Sequence, residues 1–276
     1  MTLAVAWNRH DGIHFASDSR ISKGDKNSDY GVKVVPVHIK VFEPTRDGEQ
    51  SFVAFDCVYG MCFAGDFAGA SIIRNFLSIS LQRLQYIPAF SEVSFLNICR
   101  ITYKIYSELS AKIKSEIDSE SIDFFLSGYC PKNEKIMLAK FYIDYGEDIS
   151  RFDPKLEVID YQNSNDPIYY IGSGENEYPL YLDIHFNKPL STRPLFALKS
   201  LIKSNRVASV GGNIQVGAFD NRNEFYMLGV VEETKNEAGL IDKISYFYAG
   251  IDMNSDIIDI DEGAFIVMGN YVDPYR

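Results

Sequence analysis

The sequence predicts an α+β protein arranged as a four-layer sandwich, with two antiparallel sheets face to face and helices outside both. Three observations lead there. Positions 2–65 read mostly as strands, with clear alternation at 2–8 and 13–18; positions 72–109 carry apolar side chains three and four apart; and strand-like composition then returns, broken by one more helical stretch near 194–203. Stacked sheets with helices over their outer faces bury every one of these apolar surfaces. No internal repeat, low-complexity tract or linker divides the chain, so one domain over 1–276 is expected.

Taken in order, the chain begins with a hairpin. Leu3, Val5 and Trp7 form a bulky face, while Thr2, Ala4, Ala6 and Asn8 leave room on the other. Asp11-Gly12 marks a turn and 13–18 returns. A three-residue loop of His10, Asp11 and Gly12 would pair Ala4 with Asp18 and Thr2 with Arg20, putting Asp18 and Arg20 on the face of Thr2. Positions 22–30 are polar and read as a loop beside a cleft. Strands are expected at 34–42, 51–55 and 61–64, with a turn at 45–49. Two amphipathic helices follow: one through Ile72, Ile73, Phe76, Leu77, Leu81 and Leu84, the other from Phe95 to Leu109, with a Pro88 turn between. Further strands are read at 121–129, 136–144, 156–161, 168–171, 214–219, 224–231 and 244–248.

Composition excludes several classes of function. A net charge of −11 disfavours nucleic acid or an anionic membrane as partner. No run approaches the length of a membrane span and no leader precedes Thr2, so a cytoplasmic protein is expected. Cys57, Cys62, Cys99 and Cys130 lack zinc spacing and read as buried free thiols. The histidines and the acidic stretch 256–262 lack the spacing of a ligand set, so neither a metal nor a cofactor is expected.

The chemistry is sought at the start of the chain. With Met1 removed, Thr2 carries a hydroxyl and a free α-amine of pKa about 7.7–8.0, a nucleophile and its base on one residue. Lys40 stands in an apolar strand between Ile39 and Val41, where partial desolvation tunes an ammonium; Lys33 competes for the same role. Gly65, where a strand gives way to a helix, offers a backbone amide toward a developing oxyanion.

The order of Thr2, Ala16-Ser17-Asp18-Ser19-Arg20, the strand Ile39-Lys40-Val41-Phe42 and Tyr59-Gly60-Met61-Cys62-Phe63-Ala64-Gly65-Asp66 resembles the catalytic β-type subunits of proteasomes and bacterial proteasome-like peptidases, which are N-terminal-nucleophile hydrolases. The resemblance covers roughly the first 85 residues, weakens around Gly172-Ser173-Gly174 and Gly211-Gly212, and is not evident from about 230 on. It implies the four-layer fold, an acid–lysine pair of Asp18 with Lys40, an oxyanion donor at Gly65, and Ser173 beside the nucleophile's amine. Arg20 and Ser209 are supporting candidates. The pattern departs before Gly211-Gly212, where Asn205 to Val210 contains no acid.

The resulting expectation is a threonine-type hydrolase that cleaves a peptide or other amide through an acyl-enzyme. A catalytically inactive assembly subunit and a small-molecule amidohydrolase are the alternatives. Ring-like homo-oligomers are implied by the resemblance alone.

Overall fold

A computed structural model describes residues 2–9, 12–44, 52–85, 92–117, 121–146, 152–161, 167–253 and 270–273. The chain opens with β1 (Leu3–Arg9) and β2 (Gly12–Asp18), a small hairpin of β3 (Ile21–Lys23) and β4 (Lys26–Ser28), then β5 (Val34–Phe42) and the long β6 (Val53–Gly65). Helix α1 (Phe67–Ser80), a 3-10 turn, β7 (Leu84–Gln85) and helix α2 (Phe95–Ile117) follow. Next come β8 (Ile122–Cys130), β9 (Lys135–Asp144), β10 (Asp153–Ile159), β11 (Ile168–Gly172), α3 (Tyr178–Ile184) and α4 (Arg193–Ser204). The chain closes through β12 (Ile214–Phe219), β13 (Phe225–Lys235), β14 (Ile241–Tyr248), β15 (Ile251–Asp252) and β16 (Tyr271–Val272).

The strands form two main sheets. One has the order β11-β1-β2-β12-β13-β14-β15, with β16 beside β13; the other has the order β10-β9-β8-β6-β5-β7. Three apolar clusters follow from strand alternation. Val35, Val37, Ile39 and Val41 of β5 turn one way, onto Ile73 and Leu77 of α1 and Ile98 and Tyr106 of α2. Leu3, Val5 and Trp7 of β1 join Leu195, Leu198 and Leu201 of α4. The roomy face of β1, Ala4 and Ala6, joins Phe15, Cys62, Ala64 and Phe125, contributed by both sheets. There Phe225 lies over two glycines: a Cβ at Gly60 or Gly217 would come within 2.4 or 2.2 Å of its ring.

The first hairpin corrects the expected register. Arg9 pairs with Gly12 and Ala4 with Ser17, so two residues, not three, separate the strands, and Asp18 falls opposite Leu3 rather than Ala4. Side-chain size explains the choice: Phe15 faces Ala6 while Ala16 faces Val5, a large residue against a small one on each side. The polar stretch after Arg20 also holds more structure than a loop, for Ile21–Lys23 and Lys26–Ser28 pair around Gly24 at φ +57°. The expected turns at 45–49 and Pro88 and the acidic stretch 256–262 lie outside the described residues. All four cysteines are buried with free thiols. Among the described residues no helix is long and apolar enough to cross a membrane.

Candidate functional site

Four strand ends converge at one end of the larger sheet. β1 begins at Leu3, opposite Gly172 where β11 ends; β2 ends at Asp18, opposite Ile214 where β12 begins. Thr2, Asp18, Ser173 and the loop before β12 are neighbours for that reason.

Asp18 is fully buried, and its carboxylate gathers main-chain amides from three segments. Oδ1 accepts Leu3 N–H at 3.1 Å; Oδ2 accepts Arg20 N–H at 3.1 Å and Gly211 N–H at 3.0 Å. The cation that meets it is Lys33, 1% exposed, with Nζ 3.1 Å from Oδ1 and a further hydrogen bond to the Arg20 carbonyl. Burial holds the Lys33 ammonium below the usual lysine pKa, while Asp18, then Cys62 and Asp29, act in the opposite direction.

Lys40 is elsewhere. It faces Asp56 across the β5–β6 ladder, Nζ to Oδ2 2.9 Å, in a pair 36% and 53% exposed. Its alternation off the apolar face is genuine, but the face it shares with Val34, Pro36 and His38 is buried only at Val34 and is open by Pro36 and His38. The buried lysine stands just before the strand, where a periodicity argument has least to say.

Thr2 is 2% exposed. Its carbonyl accepts from Ser173 Oγ at 3.5 Å, and Ser173 Oγ lies 2.7 Å from Ser209 Oγ, so the serine ahead of the glycine pair reaches the Thr2 backbone through one intermediate hydroxyl. Gly172 makes this approach possible, since with φ +103° its Cβ would stand 2.1 Å from the Thr2 carbonyl oxygen and 2.8 Å from Ala64 Cβ. Gly65 also has φ +103°, and a Cβ there would fall 1.9 Å from the Ser121 carbonyl oxygen. Backbone geometry therefore demands glycine at 65. Asp66 caps α1 by accepting Gly69 N–H at 2.8 Å, which places the helix's positive end at the close of β6.

Arg20 forms a two-pronged pair with Asp29, at 2.8 and 3.2 Å, and lies against Gly211, where a Cβ would sit 2.2 Å from its guanidinium carbon. Sequence reasoning missed Asp29, Gln215 and Asp123. Gln215 is fully buried in β12 and bonds the segment carrying Lys33. Its signal was available: an amide side chain in the apolar run Ile214–Phe219. Asp123, opposite Ala64, has its carboxyl pushed up to about 6 by burial, although Ile143 N–H, at 3.2 Å, and Lys140 oppose that. An open cavity of about 250 Å³ among Val41, Leu84, Val93, Ile98 and Ile101 shares none of these residues.

Neither a protein-family model nor a curated protein sequence matches the chain. Solved structures do. The Gly-1 mutant of Anbu from Hyphomicrobium sp. strain MC1 aligns over 93% of this chain and 90% of its own, with a TM-score of 0.54 at 15% identity. Its fold is that of Anbu. Anbu from Yersinia bercovieri, described as an ancestral beta-subunit, aligns over 82% and 87% with a TM-score of 0.52 at 18% identity. The Anbu complex from Pseudomonas aeruginosa, solved as a helical assembly, aligns over 93% and 89% with a TM-score of 0.51 at 18% identity. These likenesses correct the sequence-based resemblance: the structural neighbours are Anbu proteins, proteasome-like in fold but distinct from proteasome β-type subunits and bacterial proteasome-like peptidases.

Proposed function

We propose that this Anbu-like chain is a threonine-type N-terminal-nucleophile hydrolase acting on a peptide or other amide. The observation that carries the reading is the buried Lys33–Asp18 pair, tied through the Leu3 amide to the residue next to Thr2. A buried ion pair is an expensive way to gain stability, and its place beside a potential nucleophile gives it a use. On this reading the Thr2 hydroxyl attacks the carbonyl carbon and its proton passes to the α-amine. The C–N bond then breaks as that proton reaches the leaving nitrogen, and water splits the resulting ester to restore the hydroxyl. Lys33 takes the role expected of Lys40, lending positive charge to the site. Gly65 donates its amide to the oxyanion, and Ser173 with Ser209 orients the Thr2 backbone. No cofactor enters these steps.

Two architectural readings accompany it. The three apolar clusters support an order of helices, sheet, sheet, helices. Self-assembly is proposed by analogy with the helical assembly of the Pseudomonas aeruginosa protein. A second functional reading, a non-catalytic assembly subunit, is favoured by the lack of an acid before Gly211 and by the burial of Thr2.

Intact mass and a peptidyl vinyl sulfone separate the readings. Loss of Met1 with one probe attached to Thr2, abolished in Thr2→Ala, is the result expected of the hydrolase. Retained Met1 or labelling that survives Thr2→Ala rules it out. A panel of peptides and small amides then fixes the substrate class.

A further inference from the structure

Gln215 uses both ends of its amide on the segment that bears Lys33. Oε1 accepts Lys33 N–H at 2.9 Å and Val34 N–H at 3.3 Å, while Nε2 donates to the Gly31 carbonyl. Gln215 belongs to β12 of the larger sheet, whereas Lys33 leads into β5 of the other. The Lys33 carbonyl in turn accepts Phe63 N–H, at 3.1 Å, from its own sheet. The lysine main chain is thus held from both sheets at once, and one of the two holds is a single side chain.

We propose that Gln215 is a positioning residue for Lys33, fixing where the ammonium meets Asp18 and, resting on the hydrolase reading above, how fast Thr2 attacks. The charged and titratable groups around that ammonium are Asp18 on β2, Cys62 on β6 and Asp29 after β4, with the Arg20 carbonyl also bonded to it. Gln215 adds no charge to this set and acts by placement alone. Without its amide, two N–H groups and one carbonyl at a buried position lose their partner, and the segment 31–34 must shift to satisfy them. A displacement near 1 Å at a reacting centre costs on the order of a hundredfold in rate.

The test follows vinyl sulfone labelling of Thr2 in the full chain lacking Met1. Gln215→Met is expected to slow labelling at saturating probe by about tenfold or more, leave the half-saturating concentration unchanged, and move the midpoint of the rate–pH curve. Gln215→Glu, which keeps an acceptor for both amides, is expected to label faster than Gln215→Met. A folded Gln215→Met protein with unchanged rate and midpoint overturns the proposal; should that variant not fold, an unchanged rate and midpoint in Gln215→Asn, whose shorter side chain withdraws the amide from residues 31–34, does so. If the unaltered chain does not label on Thr2, the hydrolase reading falls by itself. Positioning is then read from the NMR titration of Lys33, which Gln215→Met must shift; an unmoved titration overturns it.

Discussion

Replacing Lys33 with Met leaves the Asp18 carboxylate buried without its cation, and removing one partner of such a pair costs about 3–5 kcal/mol. Denaturant unfolding should show that loss together with loss of Thr2 labelling. Lys40→Ala, which breaks only an exposed pair with Asp56, should cost less than about 1 kcal/mol and leave labelling intact. Equal effects from the two variants would overturn the assignment of Lys33. A pH-dependent prediction concerns Asp123. Its carboxyl keeps a proton in the folded chain up to about pH 6, against 3.8 for an ordinary aspartate. The folded state therefore binds more protons within that window, so stability falls as pH rises through it and stays lowered above. Asp123→Asn should gain about 1–3 kcal/mol over the parent at pH 8 and nothing below pH 4, as read from urea midpoints at the two values. Thr2 and Asp18 could be picked out as site candidates because their chemistry is local and they stand at the ends of one hairpin. Lys33 was harder to place, since its partner is set by a chain path rather than by strand alternation.

At the level of the element, two glycines with positive φ make a matched pair. Gly24 turns a small hairpin into open space, so Gly24→Ala should cost only the left-handed backbone penalty of about 1–2 kcal/mol. Gly172→Ala adds a collision with the Thr2 carbonyl, and should both exceed that cost in denaturant titrations and weaken labelling. Similar losses in the two variants would contradict the close approach of β11 to Thr2. The large amphipathic helices and most strands could be read from periodicity, because each buries a whole face. Helix α3 could not: Tyr178–Ile184 is only seven residues long and follows a run of turns after β11, so its two turns never establish a period. The β1–β2 register also escaped, because two loop lengths suit the same Asp-Gly signal and only the packing of Phe15 over Ala6 selects one.

For the whole molecule, self-assembly predicts a sedimenting species larger than a single chain, and a monomer at all accessible concentrations would remove that part of the proposal. Stacking of two sheets could be argued from the sequence because that arrangement covers the apolar faces read from periodicity. Which strand ends meet could not, since β11 and β12 join the β1–β2 hairpin from the distant part of the chain. That topology has a temporal meaning. A growing polypeptide can close its opening hairpin early, yet the hydroxyls of Ser173 and Ser209, the Gly211 amide and the Gln215 clamp do not exist until synthesis has passed residue 215. On the hydrolase reading, Thr2 lacks these partners on a half-made chain, and the order of translation is itself a safety catch.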